Sequence, residues 1–336
     1  MQIKKILIIR FSSIGDIVLT SPVVRCIKKQ MPETEIHYLT KKSFSILVES
    51  NPYIDKIHLL DDNLSKTLKD LESENFDFII DLHNNIRTFK IKWHLEKPVR
   101  SFNKINIRKW LLVNFKLNIL PEKHIVQRYL EAARRLKVFD DGEGLDYFIP
   151  QKDEIKLSDF PLTHLHGYAA LVIGAQHYTK KLPLIKLKEL CEKIQIPVIV
   201  IGGIEDSVTG NELEKFFPYK VFNACGKFNL NQSASIIRQS KIVITNDTSM
   251  MHIAAAFKKI IHSFWGNTVP IFGMQPYFGS NAKYQSLYKS NSFLHEAKNV
   301  NCRPCSKIGF QKCPKGHFDC MMKQNFDTLL NELPKN

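Results

Sequence analysis

The chain has 336 residues and a formal net charge of +15, from 48 Lys and Arg against 33 Asp and Glu. Hydrophobic residues make up 44% and charged residues 24%, which excludes a disordered or fibrous chain and predicts about two globular domains, each with its own core. The basic excess calls for an anionic partner: nucleic acid, phospholipid head groups or a phosphorylated substrate.

No apolar run reaches the roughly 20 residues that span a bilayer. Met1–Arg10 combines lysines with an apolar stretch, but Ile6–Ile9 is short and no small-residue cleavage site follows. It reads as a buried first strand of a cytoplasmic protein rather than a signal peptide.

Lys5–Ile9 is a continuous apolar run, as expected of a parallel strand covered on both faces. Asp16–Lys29 follows as one amphipathic helix. Strands are predicted at Glu35–Leu39, Lys56–Leu60 and Phe76–Leu82, with helical patterns at Phe44–Val48, Leu64–Glu74 and His124–Leu136. Residues 139–165 lose the pattern, carry Gly142, Gly144, Pro150 and Pro161, and read as a linker. Alternation then restarts, with strands at Tyr168–Ile173, Val198–Ile201, Lys241–Thr245 and Ile260–Phe264. Helices are predicted at Leu184–Lys193, Asn211–Phe217, Leu230–Arg238 and Met250–Phe257. The whole predicts two doubly wound α/β lobes, over 1–150 and 166–336, with ligands bound beyond the C-terminal strand ends.

Four loops stand at such strand ends. Arg10-Phe11-Ser12-Ser13-Ile14-Gly15-Asp16 is a small polar turn opening a helix, an anion site in outline. Asp16 within it reads either as a residue stabilised at the helix N-terminus or as a general base on an acceptor hydroxyl. Thr245–Ala256 joins a strand to a small-residue helix. Its hydroxyls suit a diphosphate, against the plainer readings of Asp247 as an N-cap and His252 as a core histidine. Gly174–Pro183 brings Lys180 and Lys181, able to neutralise phosphate charge or simply solvated. Gly202-Gly203-Ile204-Glu205-Asp206 offers Glu205 to ribose hydroxyls, or as a helix cap.

RFSSIGDIVLTSPVVRCIKKQMP, GAQHYTKKLP, GGIEDS, TNDTSMMHIAAAFKK and WGNTVP stand in the order found in glycosyltransferase family nine. From about Ile3 to the C-terminal tail the sequence resembles the ADP-heptose:lipopolysaccharide heptosyltransferases. The resemblance implies a GT-B fold, two Rossmann-like lobes facing a central cleft, and an inverting, metal-independent transfer needing no cofactor. It implies an acceptor on the N-terminal lobe and a nucleotide sugar, an ADP-sugar being favoured, on the C-terminal lobe. On this resemblance Asp16 is the base or positions it, with Ser13 and Gly15 bordering the acceptor site and Arg87 the basic residue near the acceptor. Lys180 offsets diphosphate charge, and Glu205 lies near the nucleoside. Asp247, Thr248, Ser249 and His252 form the donor-binding turn, and Gly266 and Thr268 line the donor pocket. Two departures leave the sugar open: Ser249 replaces a frequent Gly, and WGNTVP replaces Gly-Pro-Thr-Asp-Pro, so Val269 stands where the family has an acid.

The implied acceptor is an anionic envelope glycolipid such as a lipopolysaccharide core, and the implied location is cytoplasmic and peripheral at the inner face of the membrane. Lys90, Lys92, Arg100, Lys104, Arg108 and Lys109, interleaved with Trp93, Phe102 and Trp110, read as an anionic-lipid contact or as a solvated basic face. Cys26, Cys191 and Cys225 read as core residues. Cys302, Cys305, Cys313 and Cys320, with His317 among them, raise a structural zinc, two reduced pairs or a redox site. Rival readings are an epimerase or hydrolase on the same scaffold and a nucleic-acid-binding protein. No helix-turn-helix, zinc-finger or RNP signature supports the latter, so no nucleic-acid partner is expected, and no GxGxxG supports an oxidoreductase.

Overall fold

A computed structural model describes residues 3–333. In chain order the elements are β1 (Lys5–Ile9), α1 (Ile14–Val18), α2 (Ser21–Gln30), β2 (Glu35–Lys41), β3 (Lys56–Leu60), α3 (Leu64–Glu72), β4 (Phe78–Asp81), α4 (Ile86–Leu95), β5 (Val99–Ser101), α5 (Asn106–Phe115) and α6 (Ile125–Leu130). There follow β6 (Ala169–Val172), α7 (Leu184–Lys193), β7 (Val198–Ile201), α8 (Ser207–Phe216), β8 (Val221–Asn223), α9 (Leu230–Gln239), β9 (Ile242–Asn246), α10 (Ser249–Ala256), β10 (Ile261–Trp265), α11 (Ala282–Asn291) and β11 (Ser292–Glu296). None of the helices is long and apolar enough to cross a membrane, among the described residues.

The chain divides into two compact units. The first holds Met1–Lys104, Lys123–Phe148 and Tyr277–Tyr284, and the second Ile105–Glu122, Ile149–Pro276 and Gln285–Asn336. Each unit is thus built from separate stretches of chain. The pieces expected as linker are packed: Arg25, 1% exposed on α2, is held by Asp141 at 2.8 Å and by Asp146. A buried guanidinium needs paired carboxylates, and the acidic residues after Phe139 supply them.

In the first unit the strand order is β3-β2-β1-β4-β5, with every pairing parallel. The chain steps from β1 to β3 in one direction and then returns beside β1 with β4, so the order reverses between β1 and β4. Ile6–Ile9 are wholly buried, as a doubly covered strand requires. The single helix expected over Asp16–Lys29 is two helices. Pro22, in the first turn of α2, has no N–H to continue the helix from α1 and suits a new start.

In the second unit the order is β11-β10-β9-β6-β7-β8, again with all pairs parallel. Here the reversal lies between β6 and β9. Phe318, Cys320, Met321, Phe326 and Leu329 of the C-terminal tail join the core of this unit. The tail therefore belongs to the folded body of the unit.

Candidate functional site

In the first unit Asp16 stands directly beyond β1, at the reversal point. Its Oδ2 receives Ser13 Oγ at 2.9 Å and the Ser13 amide at 3.4 Å. So the cap role foreseen for Asp16 is real. The same oxygen also meets Arg10 Nη2 at 2.7 Å, while Oδ1 accepts from the Tyr129 hydroxyl at 3.3 Å. Tyr129 accepts in turn from Arg10 Nη1 at 3.0 Å. Arg10 also donates to the Ser12 carbonyl at 2.7 Å and to that of Leu82. Arg10 and Tyr129 are buried. Burial opposes the Arg10 charge, but Tyr129 and Asp16 outweigh it and hold the guanidinium above its ordinary value. Burial pushes the Tyr129 phenol up, so it stays a neutral donor to Asp16. The result is a carboxylate held on both oxygens, with its side chain 22% exposed. That is the setting of an oriented base.

The β4 loop borders this group. His83 packs on Phe11 with ring centroids 4.8 Å apart. Burial, then the Arg10 charge, bring its imidazole down to about 4. Ser13 is exposed and Gly15 buried. Arg87 is exposed in the first turn of α4, which Asn85 and Thr88 cap reciprocally at 2.9 and 3.0 Å. Arg10 opens the first strand-end loop and His83 lies in the polar turn before Arg87, but neither was assigned a role of its own from sequence. Tyr129 was not singled out and arrives through a contact spanning 113 residues.

In the second unit the loops after β6 and β9 meet at the reversal point. Lys180 Nζ lies 2.6 Å from Asp247 Oδ2, and Thr268 Oγ1 donates to the same oxygen at 2.7 Å. Asp247 is not the N-cap foreseen as its plainer role. Thr248 caps α10 by accepting from the Met250 amide at 3.2 Å, leaving Asp247 to bind Lys180 and Thr268. Ser249 is the first residue of α10 and partly buried, and His252 is buried within it. Thr179 fixes the Lys180 turn through Phe310, its Oγ1 accepting from the Phe310 amide at 2.8 Å. Glu205 is exposed and folds over Gly203, where an added Cβ would stand 2.2 Å from Glu205 Oε2. Its neighbour Asp206 is buried, holding Lys181 at 2.6 Å and the Gly203 amide at 3.0 Å. Of the two lysines in this loop, Lys181 is therefore committed to fixing the Gly202–Asp206 loop.

Gly266 and Thr268 are held from the tail. Arg303 donates to the carbonyls of Trp265, Gly266 and Thr268 at 3.0, 2.5 and 3.1 Å and pairs with Glu296 at 2.7 Å. The Cys305 amide donates to Asn267 O at 3.2 Å, and Gln324 to Trp265 O at 3.2 Å. A Cβ on Gly266 would stand 2.7 Å from Thr179 O and 2.8 Å from Met321 Sδ, so only glycine fits between the Lys180 turn and the tail. Arg303 carried no sequence signal beyond its place in Cys-Arg-Pro-Cys.

Two groups of metal-ligating side chains have their atoms within 4.8 Å of one another among the described residues: His37–His58–Glu74 and Cys26–Asp140–Asp141. Their acids are already paired, Glu74 with Lys5 and Lys56 and Asp141 with Arg25. Cys302, Cys305, Cys313 and Cys320 are not gathered into such a group. The Cys302 thiol meets His317 Nε2 at 3.9 Å, and Cys320 lies in the core.

Two parallel α/β units, each with polar residues gathered where the strand order reverses, define a protein of two Rossmann-like units. The profile of glycosyltransferase family 9 (heptosyltransferase) matches residues 64–301, and the chain belongs to this family of glycosyltransferases. It is 24% identical over 318 residues to lipopolysaccharide heptosyltransferase 1 of Campylobacter coli, covering 85% of this chain and 87% of the relative. The fold is GT-B. It is similar to a family 9 glycosyl transferase of Veillonella parvula (TM-score 0.70, 22% identity, 99% of each chain). It is also similar to the Escherichia coli heptosyltransferase WaaC with ADP (TM-score 0.63, 20% identity, 81% of this chain and 90% of that one).

Proposed function

We propose that the protein transfers a heptose, or a closely related sugar, from an ADP-sugar to a lipopolysaccharide-core or similar envelope glycolipid, with inversion and without a catalytic metal. The observation that carries this reading is the Lys180–Asp247–Thr268 group at the β6/β9 reversal point. The naming of relatives as lipopolysaccharide heptosyltransferases, one of them solved with ADP, supports the choice of donor and acceptor.

In this reading Asp16 takes the proton from the acceptor hydroxyl as its oxygen attacks the anomeric carbon. The bond from that carbon to the phosphate oxygen breaks, and the pair of electrons leaves with the diphosphate. Lys180 turns from Asp247 toward the diphosphate, and the first amides of α10 with Thr248 receive its oxygens. Glu205 reaches the ribose, Ser249 and His252 border the sugar, and Gly266 and Thr268 line the nucleotide pocket. Ser13, Gly15 and Arg87 border the acceptor.

Calorimetric titration with ADP, GDP, UDP and dTDP tests the donor. Tight binding of ADP alone is the expected result, and binding of another diphosphate with none of ADP contradicts it. Transfer to a purified lipopolysaccharide core, followed by mass spectrometry, tests the acceptor.

A further inference from the structure

α4 has two apolar faces. Thr88, Ile91 and Leu95 point inward and are buried. Ile86, Phe89 and Trp93, at i, i+3 and i+7, share the opposite face and are 78%, 59% and 74% exposed. Phe89 and Trp93 lie with ring centroids 6.2 Å apart and line a surface groove with Leu68, Lys90 and His94. A water-facing helix normally turns charge outward, so an exposed stripe of Ile, Phe and Trp marks a surface that is covered in use.

The charge on this helix points to the cover. α4 contains no acidic residue, and Arg87 and Lys90 are exposed beside the stripe. Nearby acids are Glu72, which meets His94 at 3.4 Å, and the exposed Glu96. A second copy docking by the same face would bring Arg87 and Lys90 against their own counterparts, a like-charge contact that disfavours a symmetric pair. Trp and Phe with a cationic rim match instead the boundary of an anionic bilayer, where rings sit among the acyl-chain ends and lysine and arginine meet the head groups.

We infer that α4 is a lipid-docking helix that lies in the surface of an anionic membrane through Ile86, Phe89 and Trp93. The location suits the chemistry of the same unit. α4 follows the β4 loop, whose His83 packs on Phe11 beside the Arg10–Asp16 pair. A glycolipid head group would be met where it emerges from the bilayer. The inference deepens the proposal of a membrane-borne acceptor and rests on it for that purpose only. Phe102, grouped from sequence with this surface, is not part of it: it is buried against Tyr129 at 4.7 Å. Lys92 is likewise turned away, paired with the buried Asp81 at 2.7 Å.

The test uses the full chain without donor or acceptor, so its outcome is separate from that of the transfer reading. The protein is sedimented with vesicles of phosphatidylcholine alone or mixed with phosphatidylglycerol, and tryptophan quenching is read with brominated acyl chains. The expected result is binding to the phosphatidylglycerol vesicles, weakened by salt, with quenching that is largely lost in Trp93→Phe. Phe89→Ser with Trp93→Ser lowers the partition coefficient by about tenfold or more. Both residues are exposed, so the melting temperature and ADP affinity of this variant stay at the parent values. Failure to bind anionic vesicles overturns the inference, as does quenching that persists in Trp93→Phe and so comes from Trp110. Partition unaffected by the double substitution overturns it as well. A dimer by light scattering that the double substitution dissociates, without vesicle binding, assigns the face to a second copy and also overturns it.

Discussion

Lys180 and Asp247 form an ion pair of 2.6 Å across the two strands between which the second sheet reverses its order. The pair brings together two loops that are 67 residues apart, and Thr268 adds a third by donating to the same carboxylate oxygen. Asp247 neutralises the lysine charge locally, and in the proposed reading a diphosphate takes its place as the stronger anion.

Lys180→Ala therefore weakens ADP binding by roughly ten- to hundredfold, the worth of one charge-assisted hydrogen bond. Titration calorimetry reads this directly. Unchanged affinity removes Lys180 from the diphosphate site.

Arg303 is a positioning residue in this account. Its fork spans three carbonyls, which the single ammonium of lysine cannot reproduce. Arg303→Lys raises the donor KM by about tenfold while kcat changes much less, because the loop loses its anchor and the base does not. A fall in melting temperature with an unchanged KM would limit Arg303 to stability.

Tyr129 joins Arg10 to Asp16 by one accepted and one donated hydrogen bond. Tyr129→Phe removes both and leaves the ring in place. Turnover falls by about fivefold to tenfold, in line with a net hydrogen bond of about 1 kcal/mol, and ADP affinity holds. Parallel calorimetry and rate measurement separate the two effects.

Two buried histidine pairs give the fold a pH dependence. His37 Nδ1 faces His58 Nε2 at 2.9 Å across β2 and β3, and His262 Nδ1 faces His295 Nε2 at 2.9 Å across β10 and β11. Burial lowers all four, to about 4 for His58 and His295 and about 3 for His262. Because each folded value lies below the unfolded value of about 6.5, the unfolded chain binds more protons between these limits. Stability is full above about pH 6.5 and declines as pH falls toward 4. Denaturant unfolding across that range measures the slope, and replacing His262 and His295 together by Leu flattens it.

The strand-end loops were legible because parallel strands covered on both faces are uninterrupted apolar runs, as Ile6–Ile9 and Val198–Ile201 show. Polar turns after such runs then stand out. The short strands β5, β8 and β11 and the helices α4, α5 and α11 were not read. In α4 the exposed face carries Ile86, Phe89 and Trp93, which erases the polar half of the helical period. Asp141 and Asp146 fell in the stretch that read as a linker because their partner, the buried Arg25, lies more than a hundred residues earlier. The same distance in sequence concealed Tyr129 beside Asp16. Local pattern locates the turns that carry the site, whereas the side chains that orient them come from tertiary contacts.

In the proposed reaction Asp16 is the base for sugar transfer, and Asp16→Asn removes that base while keeping the shape of the side chain. Transfer from an ADP-sugar to a lipopolysaccharide-core acceptor is measured alongside ADP affinity in parent and variant. Turnover is expected to fall by about a hundredfold or more with ADP affinity nearly unchanged. Turnover close to that of the parent rules out Asp16 as the base.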